Sequence, residues 1–236
     1  MDIHVYALEI FLNTIQKLSP KTKIFYAASS HLFSGRQTKE NGKIITIDES
    51  TPITPNGWYA HTKAIGVELM RVAKTNGLFA ISGFLFNHES ERRPQSFLSS
   101  KLTNGAIDAY LGSDKKINLL SSDTKVDWGY APDFVRAMHL CLETEICQDY
   151  IISTGKLHTI ENYAQLVYAL VGRNWLDYIT INNEKEKKHG GASAIVGNAL
   201  RLKTTTKWQP IFNFEEMVAR ILLDTAKARN VEIEIN

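Results

Sequence analysis

Lys23-Ile24-Phe25-Tyr26-Ala27-Ala28-Ser29-Ser30 is a short apolar run that ends in small hydroxyls. It reads as a buried strand with a loop at its carboxyl end. Leu78 to Phe86 is a second apolar strand, and the polar residues Asn87 to Gln95 follow it at once. Between the two, Trp58 to Thr75 has helical spacing, with Ile65, Leu69 and Val72 on one face and Asn76-Gly77 closing it. Working outward, Val5, Leu8, Leu12, Ile15 and Leu18 predict a helix over the first eighteen residues, which Ser19-Pro20 ends. Residues 34–57 are punctuated by glycine and proline and read as loop. Further helices are expected over Ser96–Leu111, Val135–Thr144, Ile160–Val171 and Phe214–Ala228, with a third apolar strand at Tyr150–Ser153. Continuous apolar strands alternating with helices predict an α/β chain built on a parallel sheet. Ligands of such sheets bind beyond the carboxyl ends of the strands. The candidate residues lie there: Ser29-Ser30-His31 after the first strand and Asn87-His88-Glu89 after the second.

Composition sets limits without identifying a function. The 236 residues make one large domain or two small ones. The 27 Lys+Arg against 25 Asp+Glu leave a net charge of +2, so no bulk field favours nucleic acid or a membrane surface. Cys141 and Cys147 supply neither a disulfide framework nor a zinc ligand set, so no metal site is expected. No apolar run reaches the ~18 residues of a spanning helix. The start, Met1-Asp2-Ile3-His4, lacks a basic segment followed by an apolar stretch, and the expectation is a cytoplasmic protein.

Tyr59-Ala60-His61-Thr62-Lys63 is the sharpest local feature. Tyrosine and lysine four apart share one helix face. An ammonium beside a phenol favours the phenolate, and a serine hydroxyl reaching the phenol would orient it. That combination makes a general base for a sugar hydroxyl during hydride transfer. Such spacing also arises on ordinary solvated helices, so it gains weight only from Ser29 on the strand upstream.

The order strand–Ser…Tyr-x-x-x-Lys–strand resembles a short-chain dehydrogenase/reductase. Phe84-Leu85-Phe86-Asn87-His88-Glu89-Ser90-Glu91-Arg92-Arg93 resembles the strand and loop of the GDP-mannose 4,6-dehydratases. Asp127-Trp128-Gly129-Tyr130, Ser153-Thr154-Gly155-Lys156 and Trp208-Gln209-Pro210 are similar to further landmarks of that family, in the same order. The resemblance implies a partial Rossmann-like parallel sheet, the carboxyl-terminal part of an extended member. Residues 1–90 and about 130–156 would form the sheet portion. Residues about 91–129 and 157–236 would form a small helical portion that holds the sugar nucleotide. It implies Ser29, Tyr59 and Lys63 as catalytic residues, with Tyr59, Lys63, His88 and Arg93 on a cofactor, NADP or NAD. Asn87 and Lys101 match positions that face the diphosphate of a nucleotide sugar of the GDP-mannose class. A homodimer or a full-length homologue is the implied protein partner.

Three departures from the family pattern stand out. No G-x-G-x-x-G or G-x-x-G-x-x-G loop occurs among the fourteen glycines, and that loop binds the cofactor pyrophosphate in this fold. The expectation is that Ile24 to Ser30 forms an open apolar edge and that this chain alone binds dinucleotide weakly. His31 stands where the family carries the glutamate that eliminates water, and Phe33 where it carries tyrosine. Histidine shuttles protons but offers no negative charge at pH 7. Lys187-Lys188-His189-Gly190 and Val126 stand where the family has arginines on the nucleotide. Three readings remain: a 4,6-dehydratase-like protein, impaired or dependent on a cofactor-binding part; a non-catalytic assembly partner of a full-length homologue; and an epimerase or reductase on the same scaffold.

Overall fold

The structure is a computed structural model that describes residues 2–35, 39–40, 43–181 and 194–235. In chain order the elements are α1 (Asp2–Leu18), β1 (Lys23–Ala27), β2 (Lys39–Glu40), β3 (Lys43–Ile44), β4 (Thr46–Ile47), α2 (Trp58–Thr75) and β5 (Phe79–Leu85). Next come β6 (Asn87–Glu89), α3 (Leu98–Tyr110), β7 (Ile117–Leu119), β8 (Lys125–Val126), β9 (Trp128–Tyr130), α4 (Ala131–Glu143) and β10 (Tyr150–Ile152). The last are β11 (His158–Thr159), α5 (Ile160–Leu170), β12 (Ile179–Ile181), β13 (Val196–Gly197), α6 (Leu200–Thr206) and α7 (Phe214–Ala228). They divide into two compact units, residues 1–87, 133–155 and 195–209 in one, and residues 88–132, 156–194 and 210–236 in the other.

The first unit carries a parallel sheet in the order β1-β5-β10. Lys23 to Ala27 pair in register with Phe79 to Gly83, and Tyr150 to Ile152 with Gly83 to Leu85. Among the described residues β1 is an edge strand, and only Ile24 of it is fully buried. Leu12 of α1 packs with Ile24, Met70, Ala73, Leu78 and Ala80. A second cluster joins Ile81, Phe84 and Ile151 of the sheet to Phe134, Ala137 and Cys141 of α4.

The bounds of α2 match the sequence reading, but its inward face differs. Ala60, Gly66, Val67, Met70 and Ala73 are buried, whereas Val72 is 57% exposed. Three of these five, Ala60, Gly66 and Ala73, are small, as suits a helix that lies close on the strands. The chain returns to this unit at residues 195–209, where no composition shift marks the crossing. There Val196 and Gly197 pair with Thr46 and Ile47 of β4, and Trp208 is fully buried with its indole donating to the Asp133 carbonyl at 2.9 Å.

The second unit packs α3, α5 and α7 around Leu102, Ala106, Ile107, Val167, Ile221 and Leu222. Tyr163 is buried among them and meets the Thr103 hydroxyl at 3.0 Å. Reciprocal capping boxes, Thr159 with Asn162 and Asn213 with Glu216, start α5 and α7. The two-stranded pairs β7–β12, β8–β11 and β6–β9 complete it. The Lys187-Lys188-His189-Gly190 segment lies outside the described residues. Among the described residues no helix is long and apolar enough to cross a membrane.

Trp208 combines complete burial, a T-shaped contact with Phe134 and a buried hydrogen bond. Trp208→Ala is expected to destabilise the protein by about 3–5 kcal/mol. Denaturant titration followed by far-ultraviolet circular dichroism measures it; a loss under about 1 kcal/mol would mean that residues 195–209 are not integral to this unit.

Candidate active site

In the first unit the candidate residues gather where β1 ends and α2 begins. The backbone turns at Ser29, whose hydroxyl caps a 3-10 turn by accepting from the His31 amide at 3.2 Å. That turn delivers the His31 ring to Tyr59, edge to face, with centroids 5.7 Å apart. Tyr59 lies in the first turn of α2 and is 58% exposed. Lys63, one turn further, places its ammonium 5.9 Å from the Tyr59 ring centroid and 5.0 Å from that of Tyr26. The same ammonium donates to the Ala27 carbonyl, the last of β1, at 2.8 Å. Ser29, His31, Tyr59 and Lys63 are therefore joined by direct contacts into one group. Among the described residues neither Ser29 nor Lys63 hydrogen-bonds the Tyr59 phenol. The Ser29 oxygen is turned to its own 3-10 turn and Lys63 to a strand-end carbonyl that has no second strand beside it.

Burial lowers the pKa of Lys63, since a half-buried ammonium loses hydration. Burial raises the Tyr26 phenol, and Tyr59 beside it adds to the rise. The group thus holds a cation less firmly protonated than a surface lysine, two phenols and an imidazole around one strand end. Phenol, imidazole and ammonium are side chains of the kind that general acid–base catalysis uses. Asn87, at the carboxyl side of β5, closes this unit's share of the candidates.

His88, Arg93 and Lys101 belong to the second unit. Glu89, which sequence reasoning placed after the second strand without giving it a role, organises their loop. Its carboxylate is 4% exposed, receives the Ser99 hydroxyl and lies 3.3 Å from the Arg93 Nε. Arg93 also lays its guanidinium over the Phe97 ring at 4.0 Å, so two contacts fix its direction. Burial is the main cause that raises the Glu89 pKa, opposed by Ser99, Arg93 and His88. The signal for Glu89 was its place between His88 and Arg93; its burial is not readable from sequence. Lys101 is exposed on α3 and lines a cavity of about 490 Å³ with Asn104, Asp108, Lys115, Lys116 and Asn118. Arg229 neutralises Asp108 at 2.6 Å, and Lys116 donates to the Asp177 carbonyl. Among the described residues Lys101 and Lys115 have no ion-pair partner, and no cluster of residues suited to a metal ion occurs.

Comparison with known proteins gives a consistent result. Residues 1–221 match the sequence model of the family described as GDP-mannose 4,6 dehydratase. GDP-mannose 4,6 dehydratase 2 of Arabidopsis thaliana is 31% identical over 216 residues, covering 90% of this chain and 56% of the plant protein. The human GDP-mannose 4,6 dehydratase is 28% identical over 223 residues, covering 85% of this chain and 57% of its own. The chain thus spans little more than half the length of these relatives. Among solved structures, dTDP-glucose 4,6-dehydratase from Bacillus anthracis in complex with NAD superimposes with a TM-score of 0.80 at 19% identity, covering 96% of this chain and 68% of that one. RMD from Pseudomonas aeruginosa complexed with NADPH gives 0.83 at 18% identity, covering 97% and 74%. At these identities the structural likeness establishes the fold, a Rossmann-like α/β arrangement.

The raised Glu89 pKa has a signed consequence. The fold holds a Glu89 proton more tightly than the unfolded chain, so this stability is fully present below the ordinary value of 4.5 and is lost as pH rises through the higher folded value. Glu89→Gln keeps an acceptor for Ser99 and removes the titration. Relative to the wild type it is expected to gain stability steadily from pH 4.5 towards neutrality. Urea titrations across that range measure the difference; one that does not change with pH would show that Arg93, not burial, sets the charge state.

Proposed function

Because the chain belongs to the GDP-mannose 4,6 dehydratase family of extended short-chain dehydrogenase/reductases, we propose that it serves the nicotinamide-dependent dehydration of a GDP-mannose-class nucleotide sugar. The observation that carries this reading is the contact group Ser29, His31, Tyr59 and Lys63 at the carboxyl end of β1. The donor set fits one end of the dinucleotide better than the other. An exposed phenol and a half-buried ammonium one turn apart suit the nicotinamide ribose; for His88 and Arg93 of the second unit a cofactor role rests on the family resemblance alone. The 236 residues carry no glycine-rich loop for the pyrophosphate. A nicotinamide cofactor, NADP or NAD, would supply the hydride acceptor for C4 and the hydride donor for C6.

The residues of this chain handle protons and position. Tyr59 takes the O4 proton as C4 becomes a ketone, with Ser29 beside the same turn to orient the hydroxyl. Lys63 holds the ribose and the charge of the phenolate. The ketone makes the C5 proton acidic. His31 removes that proton and delivers one to the departing C6 hydroxyl, so that water leaves and a C5–C6 double bond forms; a proton returns to C5 as hydride reaches C6. Histidine does this without the negative charge of a glutamate, which makes elimination the weak step. On the second unit, Lys101 and Lys115, cations at the cavity with no ion pair among the described residues, suit a diphosphate; the family resemblance gives Asn87 of the first unit a substrate role. The pyrophosphate of the cofactor is assigned to polypeptide outside these residues, in the same protein or in a full-length homologue.

A second reading draws on the open edge of β1, which suits pairing with a further parallel strand. In it the chain is a non-catalytic assembly partner. A third, epimerisation, needs Ser29, Tyr59 and Lys63 but no eliminating acid.

One set of measurements separates them. Isothermal titration of the 236 residues with NADP and NAD is expected to show no micromolar binding; a micromolar dissociation constant would refute the dependence on a further cofactor-binding part. Mass spectrometry of GDP-mannose incubated with NADP, in the presence of that part or a homologue, is expected to show loss of one water. Unchanged mass with altered stereochemistry would favour the epimerase, and no conversion the assembly partner. His31→Glu is expected to raise the dehydration rate by about tenfold or more, as suits restoring one positioned acid/base group. A cofactor-binding preparation that gains nothing would remove His31 from the mechanism.

A further inference from the structure

Lys63 is a half-buried cation with no carboxylate paired to it among the described residues. Something other than an ion pair holds it in place. Three groups surround its ammonium: the Ala27 carbonyl at 2.8 Å, the Tyr26 ring at 5.0 Å and the Tyr59 ring at 5.9 Å. The carbonyl supplies one hydrogen bond at the strand end. Tyr59 is largely exposed, so its ring encloses the amine less than a buried ring would. Tyr26 is different. It is on β1, fixed by the strand's pairing with β5, and it is half-buried against α2. A cation within about 6 Å of a ring centroid is attracted by the face of the ring, more strongly where water is partly excluded.

The helix is shaped to receive this tyrosine. Gly66 follows Lys63 by three residues and lies on the same side of α2. A Cβ on Gly66 would overlap the hydroxyl and the adjoining ring carbons of Tyr26. Only the absence of a side chain lets the tyrosine lie across the helix at that height. A glycine in the middle of a helix costs about 0.5–1 kcal/mol relative to alanine, so its presence calls for a compensating contact. The Tyr26 seat supplies one.

We propose that Tyr26, seated in the gap left by Gly66, is the positioning residue that holds the Lys63 ammonium over the end of β1 and towards Tyr59. Its catalytic meaning rests on the functional reading above; its geometry does not. Tyr26 faces the amine from β1, Tyr59 faces it from α2, and His31, on the 3-10 turn, touches Tyr59 in turn. Among the described residues these are the titratable groups in contact with it or with Tyr59. A ring face that stabilises the ammonium opposes the burial that lowers its pKa.

The test reads Lys63 directly. The whole chain is labelled with trace acetic anhydride across a pH series, and the Lys63 peptide is quantified by mass spectrometry, with Lys101 of the second unit as internal control. Tyr26→Leu is expected to lower the midpoint of Lys63 labelling by about half a pH unit or more, the equivalent of a modest cation–π contact. Tyr26→Phe keeps the ring and is expected to retain the wild-type midpoint. Gly66→Ala pushes the tyrosine away and is expected to move the midpoint in the direction of Tyr26→Leu. Tyr26→Met serves if leucine does not fold, since it keeps apolar bulk without a ring. An unchanged Lys63 midpoint in Tyr26→Leu or Tyr26→Met, or a Tyr26→Phe that behaves like leucine, would overturn the proposal. The outcome does not depend on turnover. A shifted midpoint together with no dehydration in the wild type would leave Tyr26 as positioning residue and remove the functional reading instead.

Discussion

Two rings on consecutive residues of β1 each lie over a glycine, and the first unit depends on that arrangement. Successive residues of a strand face opposite sides of the sheet. Phe25 points to one side and its ring covers Gly83 of β5; Tyr26 points to the other and covers Gly66 of α2. A side chain at either glycine would collide with the ring above it. An edge strand has only one neighbour to hold its register. Here the two ring–glycine seats reinforce the Lys23↔Phe79 to Ala27↔Gly83 pairing from both faces. The register then decides where the Ala27 carbonyl ends the strand, and that carbonyl receives Lys63. Backbone pairing, aromatic packing and the position of one ammonium are three consequences of the same constraint.

The second unit solves the same problem with charge. Glu89 is nearly inaccessible and would be a costly carboxylate alone. The Ser99 hydroxyl and Arg93 satisfy it, and Phe97 takes the opposite face of the guanidinium. Arg93 is thereby held at both its edge and its face, with less side-chain freedom to lose when a ligand arrives. Arg229 does the corresponding work at Asp108. By absorbing the carboxylate it leaves the cavity bounded by Lys101 and Lys115 positive without any change in net charge.

What the sequence made legible follows from the range of the interactions. The helix over Trp58–Thr75 was readable to the residue because its signals are local: apolar spacing and the Asn76-Gly77 stop. The three sheet strands were readable from continuous apolar runs. The inward face of α2 was not. Ile65, Leu69 and Val72 have the right spacing, but the fully buried positions are Ala60, Gly66, Val67, Met70 and Ala73, with Leu69 only partly buried beside them; three of the five are small, and smallness leaves no mark in an apolar pattern. The return of residues 195–209 was equally hidden. It rests on a two-residue ladder with β4 and on the indole of Trp208 reaching Asp133, across 75 positions of sequence. At the candidate site, Ser29, Tyr59 and Lys63 were found from order and spacing. Tyr26 was not, because its partners Gly66 and Lys63 lie on another element and no motif joins them.

The exposed Tyr59 phenol and the half-buried Lys63 ammonium are held by different means, and the difference bears on chemistry. In the proposed reaction the base that meets a substrate hydroxyl needs access, and Tyr59 is 58% exposed. The cation that assists it needs a fixed position, because Coulomb attraction falls with distance and with every water that intervenes. An ion pair to a carboxylate would fix Lys63 but would also cancel its charge at the phenol. A carbonyl dipole and a ring face hold it without an opposing charge beside it. The strand-end carbonyl of Ala27 and the Tyr26 ring therefore do what an acidic partner could not. Among the described residues an aromatic residue on β1, and no aspartate or glutamate, accompanies the lysine.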